Sequence, residues 1–259
     1  MKKYDLEFEH TRSENIKNMG GSSDFDDITK KWLQKSAPYN YVYNFDWLNT
    51  PIIQFPSDII AIQELIFKYE PDLIIETGVA RGGSVLFSAS MLALLDLRKS
   101  LKNCTNFTKT RKVIGVDIDI REHTKQAIKN EPLSKYIELI EGSSIDQSII
   151  DLIHSKSIGY NNPMLFLDSN HTHKHVLKEL NGYQDLITPG GYIVVFDTSI
   201  EWDDVNSWED IREWGPGNSP RSAITDFINI HSDFEIDKSI SDKLKITSAP
   251  EGFLKKNSC

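Results

Sequence analysis

The sequence predicts an α/β fold, doubly wound, with a mostly parallel seven-stranded sheet and an N-terminal arm. Three observations lead there. Between residues 73 and 197 short apolar runs alternate with segments of helical period, the mark of a parallel sheet covered on both faces. Residues 73–83, LIIETGVARGG, run from a buried strand into a glycine turn, and a helix follows at once. Five predicted strands end in an acid: Glu76, Asp117, Glu141, Asp168 and Asp197. Right-handed crossovers put all those strand ends on one edge, where ligands bind in this architecture.

Residues 1 to about 30 are polar and weakly periodic, and read as an arm or short helix. Tyr39, Tyr41, Tyr43 and Phe45 then alternate as in a strand, between Trp32 and Trp47. They form either an arm packed on the core or a lid over the site. Residues 1–50 are therefore taken as an N-terminal arm or lid, and 51–259 as the main domain. Pro56-Ser57-Asp58 opens a helix with Ser57 as its cap. Ile59, Ile60, Ile62, Leu65 and Ile66 recur there at helical spacing.

Strand 73–76 enters the turn of Gly78, Gly82 and Gly83, and a helix covers 84–97. After a polar loop at 99–110 come a strand at 112–117, a helix at 123–130 and a strand at 136–141. A short helix at 146–154 and a strand at 163–168 follow. The next helix starts near Thr172 and sets Val176, Leu180, Tyr183 and Ile187 on one face. Pro189-Gly190-Gly191 turns the chain into a strand at 191–197. Ser219-Pro220, a cap followed by proline, starts a helix that runs to Ile230. Residues 234–236 and 244–247 read as a closing antiparallel pair.

Composition narrows the function. Asp and Glu number 38 against 29 Lys and Arg, a net charge of −9. With no basic stripe, nucleic-acid binding is excluded. No stretch reaches the length of a membrane span, and the first ten residues lack the apolar run of a secretory signal. Cys104 and Cys259 give no disulfide framework, so a reduced cytoplasm is the expected location. The expected partners are a small-molecule or sugar substrate and, as an oligomer, further copies of the chain.

The chemistry gathers at the strand ends. A strand, a glycine turn and a helix N-terminus make a cradle for a nucleotide-like ligand. Glu76 would repel a pyrophosphate and suits a cationic ligand such as S-adenosylmethionine. Asp117 can accept hydrogen bonds from ribose hydroxyls, which fits a methyl donor or NAD. The spacing Gly78-x-x-x-Gly82-Gly83 is not the dinucleotide fingerprint, and Asp117 lies well beyond the usual ~20 residues after the turn. Ser143 and Ser144 either bind an adenine edge or, for Ser144 with Asp146, cap the next helix. Arg81, inside the turn, is counted with the donor-binding residues.

Asp168 and Asp197 end neighbouring strands and favour a hard divalent cation, with Thr198 adding a hydroxyl oxygen. Of His171, His173 and His175, the first lies nearest the strand end and is the candidate general base. The other two are read as an exposed helix face. Trp202, Trp208 and Trp214 either cover a substrate or pack. Arg212 and Arg221 are candidates for holding an anionic group.

These residues resemble the cephalosporin hydroxylase family, whose members have a class I S-adenosylmethionine methyltransferase fold, Rossmann-like, despite the name. The matching stretches are PIIQFPSDIIAIQELI, IIETGVARGGSVLFSAS, VIGVDIDIREHTKQAI, IELIEGSSID, FLDSNHTHKHVLKELNGYQDLITPGGYIVVFDT and WGPGNSPRSAITDFI. They cover most of 51–230. The resemblance implies a methyl donor at Glu76, Gly78, Gly82, Ser84 and Asp117. It also implies a divalent cation, usually magnesium, at Asp168 and Asp197. Metal-dependent methyltransferases often carry a second acidic or amide ligand beside the last one; here Phe196 and Thr198 flank Asp197. Relatives include sugar, rhamnosyl and antibiotic O-methyltransferases. The expectation is a magnesium-assisted O-methyltransferase of sugar or polysaccharide biosynthesis. Its rivals are a metal-dependent hydroxylase using Asp168 and the histidines, and a non-catalytic methyl-donor-binding subunit.

Overall fold

The structure, a computed structural model, describes residues 3–203 and 212–258. Its centre is a seven-stranded sheet in the order β5-β4-β3-β6-β7-β9-β8. The strands β3 (Leu73–Thr77), β4 (Lys112–Asp117), β5 (Ile137–Glu141), β6 (Pro163–Leu167) and β7 (Tyr192–Val195) are parallel to one another. The strand β9 (Phe253–Lys256) runs antiparallel to both β7 and β8 (Phe234–Ile236). The mostly parallel seven-stranded sheet expected from the sequence is therefore present.

Period-two alternation divides the apolar residues between two faces. Ile74, Val113, Met164, Phe166, Tyr192 and Val194 pack under helices α3 (Pro56–Tyr69) and α4 (Gly83–Asn103). Leu73, Ile75, Ile114, Val116, Leu165 and Ile193 face the other layer. That layer is α6 (Gln147–Ser157), α7 (His173–Tyr183) and α8 (Pro220–Ile230). Strands buried on both faces must be apolar nearly throughout, as these are. The strand order reverses between β3 and β6, and the crevice beyond their C-termini is where this architecture places a ligand.

Several elements differ from expectation. α4 runs on to Asn103 and closes at Cys104 in the left-handed conformation, so part of the expected loop at 99–110 is helix. Leu101 is exposed there, and an exposed last turn leaves no apolar period to read. α3 starts at Pro56 with Phe55 at the cap position and no side-chain cap. The Ser57 hydroxyl donates instead to the carbonyl of Ile246, 2.5 Å away. The expected strand at 244–247 is not formed: Leu244 ends helix α9 (Lys238–Leu244), capped by Asp237, and 245–247 is irregular. The antiparallel partner of β7 and β8 is 253–256, later in the chain. Ser219 heads α8 with a complete capping box, as its Ser-Pro start predicts.

The first 50 residues hold helices α1 (Lys3–Gly20) and α2 (Ser23–Ser36), then 3₁₀ turns at Ala37–Tyr39 and Tyr41–Asn44 rather than a strand. Asn40, left-handed at φ 48°, interrupts the alternation. A small hairpin, β1 (Asp46–Trp47) and β2 (Thr50–Pro51), leads into α3. Tyr41 lies edge-on to Trp32, 4.9 Å between ring centres, and stacks on Phe55 at 5.9 Å. α5 (Glu122–Asn130) completes the helical set among the described residues.

Candidate functional site

Glu76 is inside β3 and buried. Ser84 and Ser88, one turn apart on α4, donate to its two oxygens, Ser88 at 3.4 Å. Burial pushes this carboxyl up to about 7, against the pull of the two serines. Gly78 follows at φ +91°, where a side chain would be strained. A Cβ there would stand 2.0 Å from the carbonyl oxygen of Asp168, so only glycine lets the ends of β3 and β6 meet. Asp168 N–H donates to Thr77 O at 2.9 Å across that junction. Gly82 caps α4, and a Cβ on Gly83 would lie 2.3 Å from Pro51 O, which shows how closely the hairpin crosses the helix start.

Asp117, expected to face ribose, accepts the N–H groups of Val79 (2.8 Å) and Ala80 (3.0 Å) on one oxygen. It thereby pins the turn, and its other oxygen takes Asp119 N–H at 3.2 Å. Ile118 beside it is 74% exposed. An apolar side chain held in solvent directly after the strand acid offers a face for a flat ring, and its position in GVDID was the signal for it. Arg81 is exposed and meets His123 of α5 at 3.0 Å. Ser144 is buried, with its hydroxyl 3.1 Å from His175 Nε2 and its carbonyl accepting from Tyr183 at 2.5 Å. Ser143 accepts Asp146 N–H on its carbonyl. Neither Ser144 nor Asp146 caps α6 through its side chain.

Asp168, His171 and Asp197 converge: each offers one ligand atom, and those atoms lie within 4.8 Å of one another. His171 Nε2 is 3.3 Å from Asp197 Oδ2. Trp214 stands edge-on against the imidazole, 5.0 Å between centres. Asp197 adopts the left-handed conformation at φ 56°. Burial, then the charges of Asp197 and Glu76, hold the Asp168 carboxyl well above its ordinary range. Burial and Asp197 likewise push Asp203 up to about 6. Thr198 does not join the cluster with its proton: it is fully buried and donates to Pro250 O at 2.6 Å. The hydroxyl is drawn into the loop before β9, a contact 52 residues away in sequence.

Other strand-end and loop residues have partners elsewhere. Glu141 pairs with Lys125 at 2.7 Å. His173 pairs with Asp226 of α8 at 3.0 Å. His175, read as an exposed face, is half-buried between Ser144 and Ser169, both at 3.1 Å, with Glu179 behind it at 3.6 Å. No periodicity marks such a residue, because its partners come from three elements. Arg221 is engaged by Glu251. Trp202 lies under Lys30 of α2, 5.3 Å from the ammonium. Trp208 lies outside the described residues.

Sequence reasoning also missed Gln54. It reaches from the segment after the hairpin and donates Nε2–H to Asp168 Oδ2 at 3.0 Å. The two carboxylates suit a divalent cation with oxygen-rich coordination, with the His171 imidazole beside them. A buried carboxylate near neutrality, short of a positive partner, suits the cationic end of a donor. With His173 and His175 committed elsewhere, the two-histidine, one-carboxylate set of an iron oxygenase is not assembled among the described residues.

The family described as Rhamnosyl O-methyltransferase/CmcI matches residues 39–257. A rhamnosyl O-methyltransferase of Mycobacterium leprae is 29% identical over 218 residues, 83% of this chain and 85% of that protein. One from Mycobacterium tuberculosis is 29% identical over 224 residues, 84% of this chain and 82% of that protein. Among solved structures, a CmcI complex with Mg and SAM covers 83% of this chain and 78% of its own, with TM-score 0.57 and 14% identity. An O-methyltransferase from Bacillus cereus in complex with SAH covers 83% of this chain and 82% of its own, with TM-score 0.50 and 15% identity. At these identities the structural likeness establishes the fold.

Proposed function

The chain belongs to the Rhamnosyl O-methyltransferase/CmcI family, and from that premise we propose an S-adenosylmethionine-dependent, divalent-metal-assisted O-methyltransferase acting on a sugar hydroxyl. The observation that carries the reading is a juxtaposition. The cluster of Asp168, His171 and Asp197 abuts the glycine turn through the Gly78–Asp168 contact. One crevice thus offers a cradle for a cationic donor and a site for a hard ion. The curated relatives carry the name rhamnosyl O-methyltransferase, which supports a sugar such as a rhamnosyl group as the acceptor.

The donor residues are Glu76, Gly78, Gly82, Ser84 and Asp117, with Arg81 at the rim of the turn. Ser143, Ser144 and Ile118 line the nucleoside side. Asp168 and Asp197 would hold the cation through their carboxylate oxygens. When bound, the donor supplies an electrophilic methyl group and the cation lowers the pKa of a coordinated hydroxyl. His171 would take the proton of the acceptor hydroxyl on the ring nitrogen that Asp197 does not engage, and transfer of the methyl group to that oxygen would leave the donor as S-adenosylhomocysteine. Asp197 orients the imidazole and stabilises it once protonated. Trp214 fixes the ring from its edge and gives a sugar an apolar wall. Alignment and charge neutralisation do most of the rest. Residues 1–50 act as an arm and lid to the transferase body at 51–259, a role supported by Lys30 lying over Trp202.

Calorimetry with S-adenosylmethionine and with NAD, with and without Mg²⁺, tests the reading. A screen of sugar acceptors then follows release of S-adenosylhomocysteine. The donor binds, NAD does not, and methylation needs the metal and is lost in Asp168→Asn. NAD binding without donor binding, or oxygen-dependent turnover with stoichiometric iron, overturns it.

A further inference from the structure

Gln54 is 6% exposed, and its amide has two ends with different fates. Its NH₂ end faces Asp168 and donates to Oδ2 at 3.0 Å. That orientation turns Oε1 the other way, where it is buried and has no hydrogen-bond partner. An amide oxygen stripped of water and unpaired is destabilising, and such an atom in a folded protein calls for an account.

The space beside it supplies one. Gln54 lines a small cavity together with Glu76, Ser84, Ser88 and Asp168, closed on the apolar side by residues that include Phe196. Its volume is about 10 Å³, close to the room of a single water-sized group. Of the polar side chains in this wall, Glu76, Asp168 and Gln54 offer acceptors, while the Ser84 and Ser88 hydroxyls already donate to Glu76. A primary ammonium has about the size of a water, three donors and a positive charge, and beside two acids it matches such a wall better than a neutral water does.

Resting on the donor reading above, we propose that Gln54 binds the amino-acid end of the methyl donor, accepting a hydrogen bond from its α-ammonium on Oε1 opposite Glu76. The amide is held ready for this by its bond to Asp168, so little freedom is lost on binding. Gln54 enters from the segment ahead of α3, which Gly83 allows to lie flat on the start of α4. The hairpin segment is thus part of the donor site, on the side opposite the nucleoside.

The test compares two ligands by calorimetry on the full chain. S-adenosylhomocysteine carries the amino-acid end, and 5′-methylthioadenosine is the same nucleoside thioether without it. In Gln54→Leu, S-adenosylhomocysteine weakens about tenfold or more, while 5′-methylthioadenosine stays within about twofold. Gln54→Glu, which keeps an acceptor at this place, recovers most of the loss. Circular dichroism melting shows that both variants fold. Unchanged S-adenosylhomocysteine affinity in Gln54→Leu, or equal weakening of both ligands, overturns the assignment and leaves the donor site standing. A wild-type chain that binds neither ligand overturns the donor site itself and this assignment with it.

Discussion

Glu76 is a carboxyl in a dry place, and its chemistry follows from that. Burial raises it to about 7, so near neutrality it is half protonated until a cation arrives. Affinity for S-adenosylmethionine is therefore flat above about pH 7 and falls by up to about tenfold for each unit below it. Titration calorimetry from about pH 8 to about pH 5.5 measures this. In Glu76→Gln the affinity is lower throughout and this slope disappears; a slope that persists points to another group. His171 behaves differently because it serves the acceptor. In His171→Ala, kcat drops about 10²- to 10⁴-fold while the donor Kd is unchanged. Equal kcat in the variant removes His171 from the reaction.

At the scale of elements, junctions matter more than interiors. The β3–β6 junction depends on Gly78, whose φ of +91° and 2.0 Å approach to Asp168 O leave no room for a methyl group. Gly78→Ala is expected to cost about 2 kcal/mol or more in urea unfolding and to weaken donor and metal binding together. A variant with wild-type stability contradicts the strand contact. Ser219 illustrates the milder case. Its hydroxyl accepts Ser222 N–H while Ser222 Oγ accepts Ser219 N–H, closing the capping box of α8, and it donates in turn to Glu201. Ser219→Ala lowers stability by about 1 kcal/mol, read from the denaturation midpoint. The pattern Ser-Pro announced this helix in the sequence, because a cap is a local arrangement. The strand at 253–256 was missed because its partner β7 lies about 60 residues upstream, and its own four residues carry too short a pattern to separate strand from loop.

Across the whole molecule, buried acids tie distant segments together and make stability depend on pH. Asp58 of α3 is fully buried and holds the loop before β9 through Ser248 N (2.9 Å) and Oγ (3.1 Å). Burial pushes its carboxyl up to about 6 from the ordinary 3.8. Between those values the folded chain keeps a proton that the unfolded chain has released, so stability falls as pH rises through the window. Glu76 acts in the same direction from 4.5 to about 7. The ligand-free melting temperature should thus decline from about pH 4.5 to about pH 7, and less steeply in Asp58→Asn. A melting temperature that rises over this range contradicts the buried, uncompensated acids.

The amino-acid order by itself determined the parallel sheet, the two covered faces, the glycine turn and the acids at the strand ends, because periods of two and 3.6 residues are local. Neighbouring strand ends already pointed to Asp168 beside Asp197, with His171 close by. Only the tertiary structure decided where the other side chains turn: it set Asp117 on the turn's own N–H groups, drew Thr198 to Pro250 and brought Gln54 across 114 positions to Asp168. Contacts at that separation depend on how the layers close over one another, and a side chain's spacing along the chain carries no trace of them.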